Sequence, residues 1–256
     1  MAESLKIDHA RYILTVDRHR RIIQDGAIVV EGGRITRVGK AAELADARAD
    51  RVIDGRHLVI TPGFFNGHMH ISYAHPVRGI FPDEQASPLL HVFNLQSVMT
   101  EDEEYHATLL GLVELVRNGT VCFLDPGSTQ FPDACLQAYE DAGIRVLLGE
   151  AVTDQEAPWK LPRYPAPEAV ARTTSFIEKW NGRLDGRIRA WAMPFSYETC
   201  SAGLLQALKR VADERGSGLT LHHNSGAKAR ADAVARFLDG GVGQPDNGGL
   251  RQAAAD

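Results

Sequence analysis

Cysteine is scarce in this chain, and what there is does not pair. Cys122, Cys135 and Cys200 form an odd set of three with no CxxC spacing, which argues against a disulfide framework and against a thiolate metal site. Reduced, buried thiols in a cytoplasmic setting are the expectation. An excess of one charge sign is also missing. Lys+Arg number 28 against 33 for Asp+Glu, a net charge of -5, so no basic surface calls for nucleic acid or for an anionic membrane. Long hydrophobic runs are absent: Leu58–Ile60 and Val146–Gly149 fall far below the ~20 residues of a membrane span. The opening Met1-Ala2-Glu3-Ser4-Leu5-Lys6 has neither the basic region nor the apolar stretch of a secretory leader. No GxGxxG follows a strand, so a dinucleotide-binding sheet has no support. With 44% hydrophobic and 24% charged residues, the composition is that of a folded globular protein.

The first 60 residues read as a small β unit. Arg11–Val16, Ala27–Glu31 and Arg34–Val38 are short and rich in β-branched residues, with turn signals at Asp25-Gly26 and Gly32-Gly33. Ala41–Ala49 reads as a short helix, and Arg51–Asp54 and His57–Ile60 as further strands. The rhythm then changes. Strands are expected at Leu58–His68, Thr120–Leu124, Arg145–Gly149, Arg187–Met193 and Leu219–His222. Helices are expected at Glu101–Asn118, after a Thr100 cap, and at Phe131–Ala142, Pro167–Trp180, Ala202–Arg215 and Ala227–Leu238. Strand–helix alternation predicts parallel strands with right-handed crossovers, in a barrel or an open doubly wound sheet. A complete eight-stranded barrel takes about 250 residues, and only five strand candidates are visible. Residues 239–256 are dominated by glycine and small polar residues, and are expected to be a disordered or aberrant tail.

The sharpest chemical signal is Gly67-His68-Met69-His70, closing the apolar stretch Leu58–Asn66. On an extended chain alternate side chains share a face, so His68 and His70 point the same way and their imidazoles suit one metal ion. Leu219-Thr220-Leu221-His222 is a second short strand ending in histidine. Thr220 and His222 would face a barrel interior, which brings His222 to the first pair from across the barrel. Three nitrogen ligands with an open position make a catalytic metal site. His223, on the other face, reads as a weaker candidate.

Three stretches together resemble the amidohydrolase superfamily: Asp25–Ile35 with Val52-Ile53-Asp54-Gly55, Thr61–His70, and Glu114-Leu115-Val116-Arg117-Asn118-Gly119-Thr120. Glu198-Thr199-Cys200-Ser201 resembles the stretch after that family's fourth strand. The pattern is most similar to the deaminase and chlorohydrolase branch, which acts on cyclic amidines and triazines. The resemblance implies an α/β fold: a partial (β/α)8 TIM-like barrel of about five of eight strands over residues 61–238, beside a small N-terminal β-sandwich part over residues 1–60. It implies His68, His70 and His222 as ligands of a divalent metal, zinc or iron, and hydrolysis of non-peptide C–N bonds by metal-activated water.

The same resemblance calls for a further histidine and an aspartate on later strands, and no histidine follows His223. Where the branch often carries a glutamate, Ser225 stands. The catalytic acid/base is therefore unassigned, with Asp125 and Glu150, at strand ends, as weak candidates. His75 and Arg78, in the loop after His70, and His223 are the candidate substrate contacts. His91 and His106 read as a loop residue and a helix-face residue. The expected partner is a small-molecule substrate, with no nucleic acid and no membrane, and with a homo-oligomer left open. The alternative reading is a truncated, non-catalytic fragment of such an enzyme.

Overall fold

The computed structural model describes residues 3–74, 80, 92, 94–127, 130–156 and 162–222. His75, Arg78, His91 and His223, the helix expected at Ala227–Leu238 and the tail at 239–256 lie outside the described residues. The chain divides into two compact units, Met1–Phe64 and Phe65–Asp256.

The first unit is one mixed sheet. Strands β1 (Leu5–Leu14), β2 (Ile22–Glu31) and β3 (Arg34–Lys40) form an antiparallel meander, and β4 (Arg51–Asp54) and β5 (Val59–Ile60) both lie parallel to β1, at its two ends. The β2–β3 hairpin turns on Gly32 (φ 57) and Gly33 (φ 76). Two consecutive positive-φ residues are what a two-residue type I′ loop demands, so the Gly-Gly pair sets this turn. Alternation along the second half of β2 sends Ala27 and Val29 to one face, against Ala41 and Leu44, and Ile28 to the other, with Ala10 and Ile13; Ile23 joins that second face because the strand is irregular at Asp25.

Asp25-Gly26, expected as a turn, instead lies inside β2. The β1–β2 register shifts between Ile7 and Ala10, and Asp25 (φ 49) and His9 (φ 56) take the left-handed conformation there, joined by a 2.8 Å contact between His9 Nδ1 and Asp25 Oδ1. A β-bulge, not a reversal, uses these residues. Gly26 is needed because the Ile13 side chain packs on its backbone: a Cβ there would come within 2.5 Å of Ile13 Cδ1.

The second unit alternates strand and helix. Its strands are β6 (Phe64–Asn66), β7 (Thr120–Asp125), β8 (Arg145–Leu148), β9 (Ala151–Val152), β10 (Ile188–Ala190) and β11 (Met193–Pro194). Its helices are α1 (Ile71–Ala74), α2 (Glu101–Arg117), α3 (Pro132–Ala142), α4 (Ala166–Trp180), α5 (Arg183–Gly186) and α6 (Ala202–Glu214). The sheet order is β6-β7-β8-β10, with β7, β8 and β10 parallel, and β9 continues beside β11, also in parallel. Parallel bridges Ala192↔Leu219 and Ser196↔His222 then lay the segment 219–222 against the β10–β11 strand. The neighbours thus follow chain order, as expected when each crossover carries a helix.

Local chemistry explains the helix ends. Thr100 and Glu103 make a reciprocal capping box, Thr100 N donating to Glu103 Oε2 at 2.7 Å and Glu103 N to Thr100 Oγ1 at 3.3 Å. Gly143 (φ 68) closes α3 in the left-handed conformation. Ser201 Oγ caps α6 by accepting from Leu204 N at 3.1 Å. The core lies between sheet and helices: Phe123, Val146, Leu148 and Ile188 from the strands pack with Leu112, Tyr139, Ile177 and Leu204 from the helices. No helix among the described residues is long and apolar enough to cross a membrane.

Candidate metal centre

The His68–His70 segment continues beyond β6 and is fixed at two points. Asn66 Oδ1 accepts from His68 N at 3.1 Å, an Asx turn, and Met69 N donates to Leu124 O of β7 at 2.9 Å. Met69 packs against the apolar core of this unit, so the alternation of an extended chain turns the two flanking imidazoles the other way.

His222 comes from the opposite side of the strand series. Its backbone N donates to Phe195 O at 2.9 Å, and its ring Nδ1 contacts the same oxygen at 2.9 Å. A carbonyl only accepts, so Nδ1 carries the proton and Nε2 keeps its lone pair. That lone pair faces His70 Nε2 at 3.1 Å. The three rings lie 4.9 to 5.1 Å apart by centroid, and one nitrogen from each of His68, His70 and His222 lies within 4.8 Å of the others.

Burial lowers the pKa of all three imidazoles. For His68 the charge of His222 adds to the effect. For His70, the most enclosed, burial with His222 and His68 pushes it down to about 2. For His222 burial outweighs the Phe195 carbonyl and the charge of Glu198, which act in the opposite direction. All three are therefore neutral at pH 7, the protonation state a metal ligand requires. Nitrogens bound to one ion at ~2.1 Å sit about 3 Å apart for a right-angled pair and at most ~4.2 Å apart. The His70–His222 separation falls in that range, and the full set lies close to it. The donor set fits a divalent metal of borderline softness.

The carboxylates at the strand ends have other partners. Asp125, fully buried at the end of β7, accepts from Tyr139 OH at 2.9 Å and from Gly127 N at 3.1 Å. Burial, with the charge of Glu104, raises its pKa to about 7 against those two donors. Glu150 is paired with Arg172. Tyr139 belongs to α3 and Arg172 to α4, so both carboxylates lean on the helix layer. His106 lies on the exposed face of α2 and contacts Asp102 O at 2.8 Å.

Two polar anchors escape a reading of the sequence. Glu104 sits in the acidic first turn of α2, where exposure is the ordinary outcome, yet it is fully buried and accepts from Gln130 N at 3.0 Å and Phe131 N at 2.5 Å. Asp154 accepts from Ser201 N at 2.6 Å and Ser201 Oγ at 2.5 Å, clamping the start of α6. No local pattern marks either residue, because both partners are distant in sequence.

Residues 59–245 match the family profile described as Amidohydrolase family. The chain is 29% identical over 213 residues to a 5'-deoxyadenosine deaminase of Methanosarcina barkeri, covering 82% of this chain and 47% of that protein. It is 31% identical over 229 residues to a 5-methylthioadenosine/S-adenosylhomocysteine deaminase of Syntrophobacter fumaroxidans, covering 88% and 50%. Among solved structures, an adenosine deaminase of Xanthomonas campestris with bound zinc superposes with TM-score 0.78 at 24% identity, over 98% of this chain and 55% of that one. The atrazine chlorohydrolase of Arthrobacter aurescens, complexed with zinc, gives 0.79 at 22%, over 92% and 56%. The chain spans about half the length of the curated relatives it matches.

Proposed function

The chain belongs to the amidohydrolase family, and on that premise we propose that it carries the metal-binding portion of a hydrolase that releases ammonia, or a comparable leaving group, from the ring carbon of a cyclic amidine. One observation carries the reading. Neutral imidazoles from two distant strand ends, His68 and His70 on one side and His222 on the other, converge on a single point. His70 and His222 are half-buried and His68 is more exposed, and a shared ion would replace the water contacts that the enclosed ring nitrogens give up.

His68, His70 and His222 would hold the divalent cation, zinc or iron, through their unprotonated ring nitrogens. A cation so bound lowers the pKa of a coordinated water toward neutrality and polarises the carbon under attack. The residues of this chain contribute orientation: the Phe195 carbonyl fixes the His222 tautomer and ring plane, and the Met69–Leu124 hydrogen bond sets the spacing of the other two.

The strand geometry supports reading the second unit as the first five strands of a (β/α)8 barrel. β6 and the 219–222 segment are four strand spacings apart, about 19 Å on a flat sheet. Contact between His70 and His222 is consistent only with a sheet that curls. The β1–β5 sheet fits the smaller β-sandwich part that goes with such a barrel. His75 and Arg78, close after His70 in sequence, together with His223 beside His222, are proposed as substrate contacts.

The nearest chemistry to test is an exocyclic amine on a purine. The compared deaminases are named for adenosine derivatives, and their ring amidine belongs to the same class as a triazine. The experiment is ammonia release by the purified 256-residue chain with zinc or iron, across 5'-substituted adenosines, triazines, pterins and pyrimidines. Release that disappears in His68→Ala supports the proposal. Release that persists in His68→Ala contradicts it. Metal uptake without ammonia from any member of the panel would favour a metal-binding chain with no turnover of its own.

A further inference from the structure

Met69 stands between the first two histidines, and its N donates to Leu124 O of β7 at 2.9 Å. The Leu124 carbonyl and the Asp125 N–H belong to one planar peptide group. Whatever fixes Asp125 therefore fixes the direction of the carbonyl that anchors the His68–His70 segment. Asp125 is the last residue of β7 and is buried. Among the described residues its carboxylate has two hydrogen-bond donors and no cation paired to it. A carboxylate buried in this way is costly to keep, which asks for a reason that packing alone does not give.

Both carboxylate oxygens are gripped. Phe123 and Asp125, two residues apart, share the face of β7 that meets the helices. Tyr139 of α3 reaches both: its ring stands edge-on to Phe123, 5.7 Å between centroids, and its OH donates to Asp125 Oδ2 at 2.9 Å. Tyr139 is itself fully buried, so that hydroxyl has a fixed place. The other oxygen, Oδ1, accepts from Gly127 N at 3.1 Å. Gly127 (φ 74) lies against the junction of β8 and β9: its O accepts from Ala151 N at 3.0 Å, and a Cβ on it would run into Gly149 O. The end of β7 is thus tied to a helix through one oxygen and to the next strand through the other.

Resting on the metal-site reading above, we propose that the buried Asp125–Tyr139 pair is a positioning element of the metal centre: it fixes the end of β7 and, through the Leu124 carbonyl and Met69 N, sets the placement of His68 and His70 relative to His222. Neither residue is a ligand. The pair acts on the geometry in which the ion is held, and so on how tightly it is held.

The test is zinc affinity of the full chain, read by competition with a chromogenic chelator, together with the visible absorption of the cobalt-loaded chain, whose bands report the geometry at the ion. Wild type is compared with Asp125→Ala, Asp125→Asn, Tyr139→Phe and Ile177→Val. Asp125→Ala is expected to weaken zinc binding by about tenfold, the lower end of the range for groups that orient a metal's ligands, and to alter the cobalt spectrum. Tyr139→Phe, which keeps the buried ring and removes only the donor to Asp125, moves both readouts in the same direction. Asp125→Asn restores both toward wild type, because an amide still accepts from Gly127 N and can donate to the Tyr139 oxygen. Ile177→Val trims a buried side chain of α4, lowering stability, and leaves both readouts as in wild type. Where Asp125→Ala does not fold, Tyr139→Phe decides. Wild-type zinc affinity and an unchanged cobalt spectrum in Tyr139→Phe overturn the inference. So does an equal loss in Asp125→Asn and Asp125→Ala, or the same loss in Ile177→Val, which would mark general destabilisation. A wild type that takes up neither metal overturns the metal site itself, a distinct result.

Discussion

His70 Nε2 and His222 Nε2 lie 3.1 Å apart across 152 residues of sequence. The contact joins the segment after β6 to the 219–222 segment, which pairs with the β10–β11 strand. Two further hydrogen bonds maintain it, Met69 N to Leu124 O on one side and His222 Nδ1 to Phe195 O on the other. Backbone groups of neighbouring strands thus set the geometry of the cluster, and it should respond to changes in strand placement remote from the imidazoles.

Gly218 is one such place. It immediately precedes the strand that carries His222, and the Trp191 indole lies on its backbone where a Cβ would stand. Gly218→Ala should destabilise the chain by about 1–3 kcal/mol, the usual cost of forcing atoms into a packed site, and should weaken metal binding as the 219–222 segment shifts. Gly203, in the first turn of α6, has open space around it, with the nearest atom at 3.9 Å. Gly203→Ala should raise stability by about 0.5–1 kcal/mol through helix propensity. Chemical denaturation of both variants checks the contrast. A neutral Gly218→Ala would contradict the packing described at Trp191.

Asp125 provides a pH test. Its folded pKa, about 7, lies above the ordinary value of 3.8, so the fold favours the protonated form. The stability it contributes is fully present below the unfolded pKa and is lost as pH rises through about 7. Asp125→Asn removes this titration while keeping an acceptor for Gly127 N. Stability of the variant relative to wild type should therefore rise as pH increases from about 5 to about 8. Parallel stability–pH curves for the two proteins would show that Asp125 is not held in this way.

Asp154 tests a contact of a different kind. Removing its carboxylate by Asp154→Ala leaves Ser201 N and Oγ without their acceptor at the start of α6. A loss of roughly 1–3 kcal/mol is expected, on the scale of hydrogen bonds to a half-buried charged group. Asp154→Asn should recover part of it. An unchanged unfolding midpoint in Asp154→Ala would mean that Ser201 caps α6 unaided.

Much of this arrangement is legible in the sequence, for definite physical reasons. The period-two placement of His68 and His70 and the position of His222 at the end of a short apolar strand follow from strand geometry alone. The limits of α2, α3 and α6 follow from Thr100, Gly143 and Ser201, because capping is local. Bulges and tertiary anchors are less accessible. Asp25-Gly26 has the composition of a turn, and only the register between β1 and β2 reveals a bulge. Glu104 reads as a solvated first-turn acid, and Asp154 as a loop residue. Their roles arise from the backbone N–H groups of Gln130 and Phe131 in one case, and from the N–H and hydroxyl of Ser201 in the other.

The central claim is that His68, His70 and His222 together hold one divalent ion. Elemental analysis of protein purified after zinc loading and removal of free metal tests it directly, for wild type, His222→Ala and His106→Ala. His222 is part of the cluster, and His106 lies on the exposed face of α2. The account expects one equivalent of zinc in wild type and in His106→Ala, and little in His222→Ala, because two remaining imidazoles cannot fix the ion. Equal zinc content in His222→Ala and His106→Ala would contradict it.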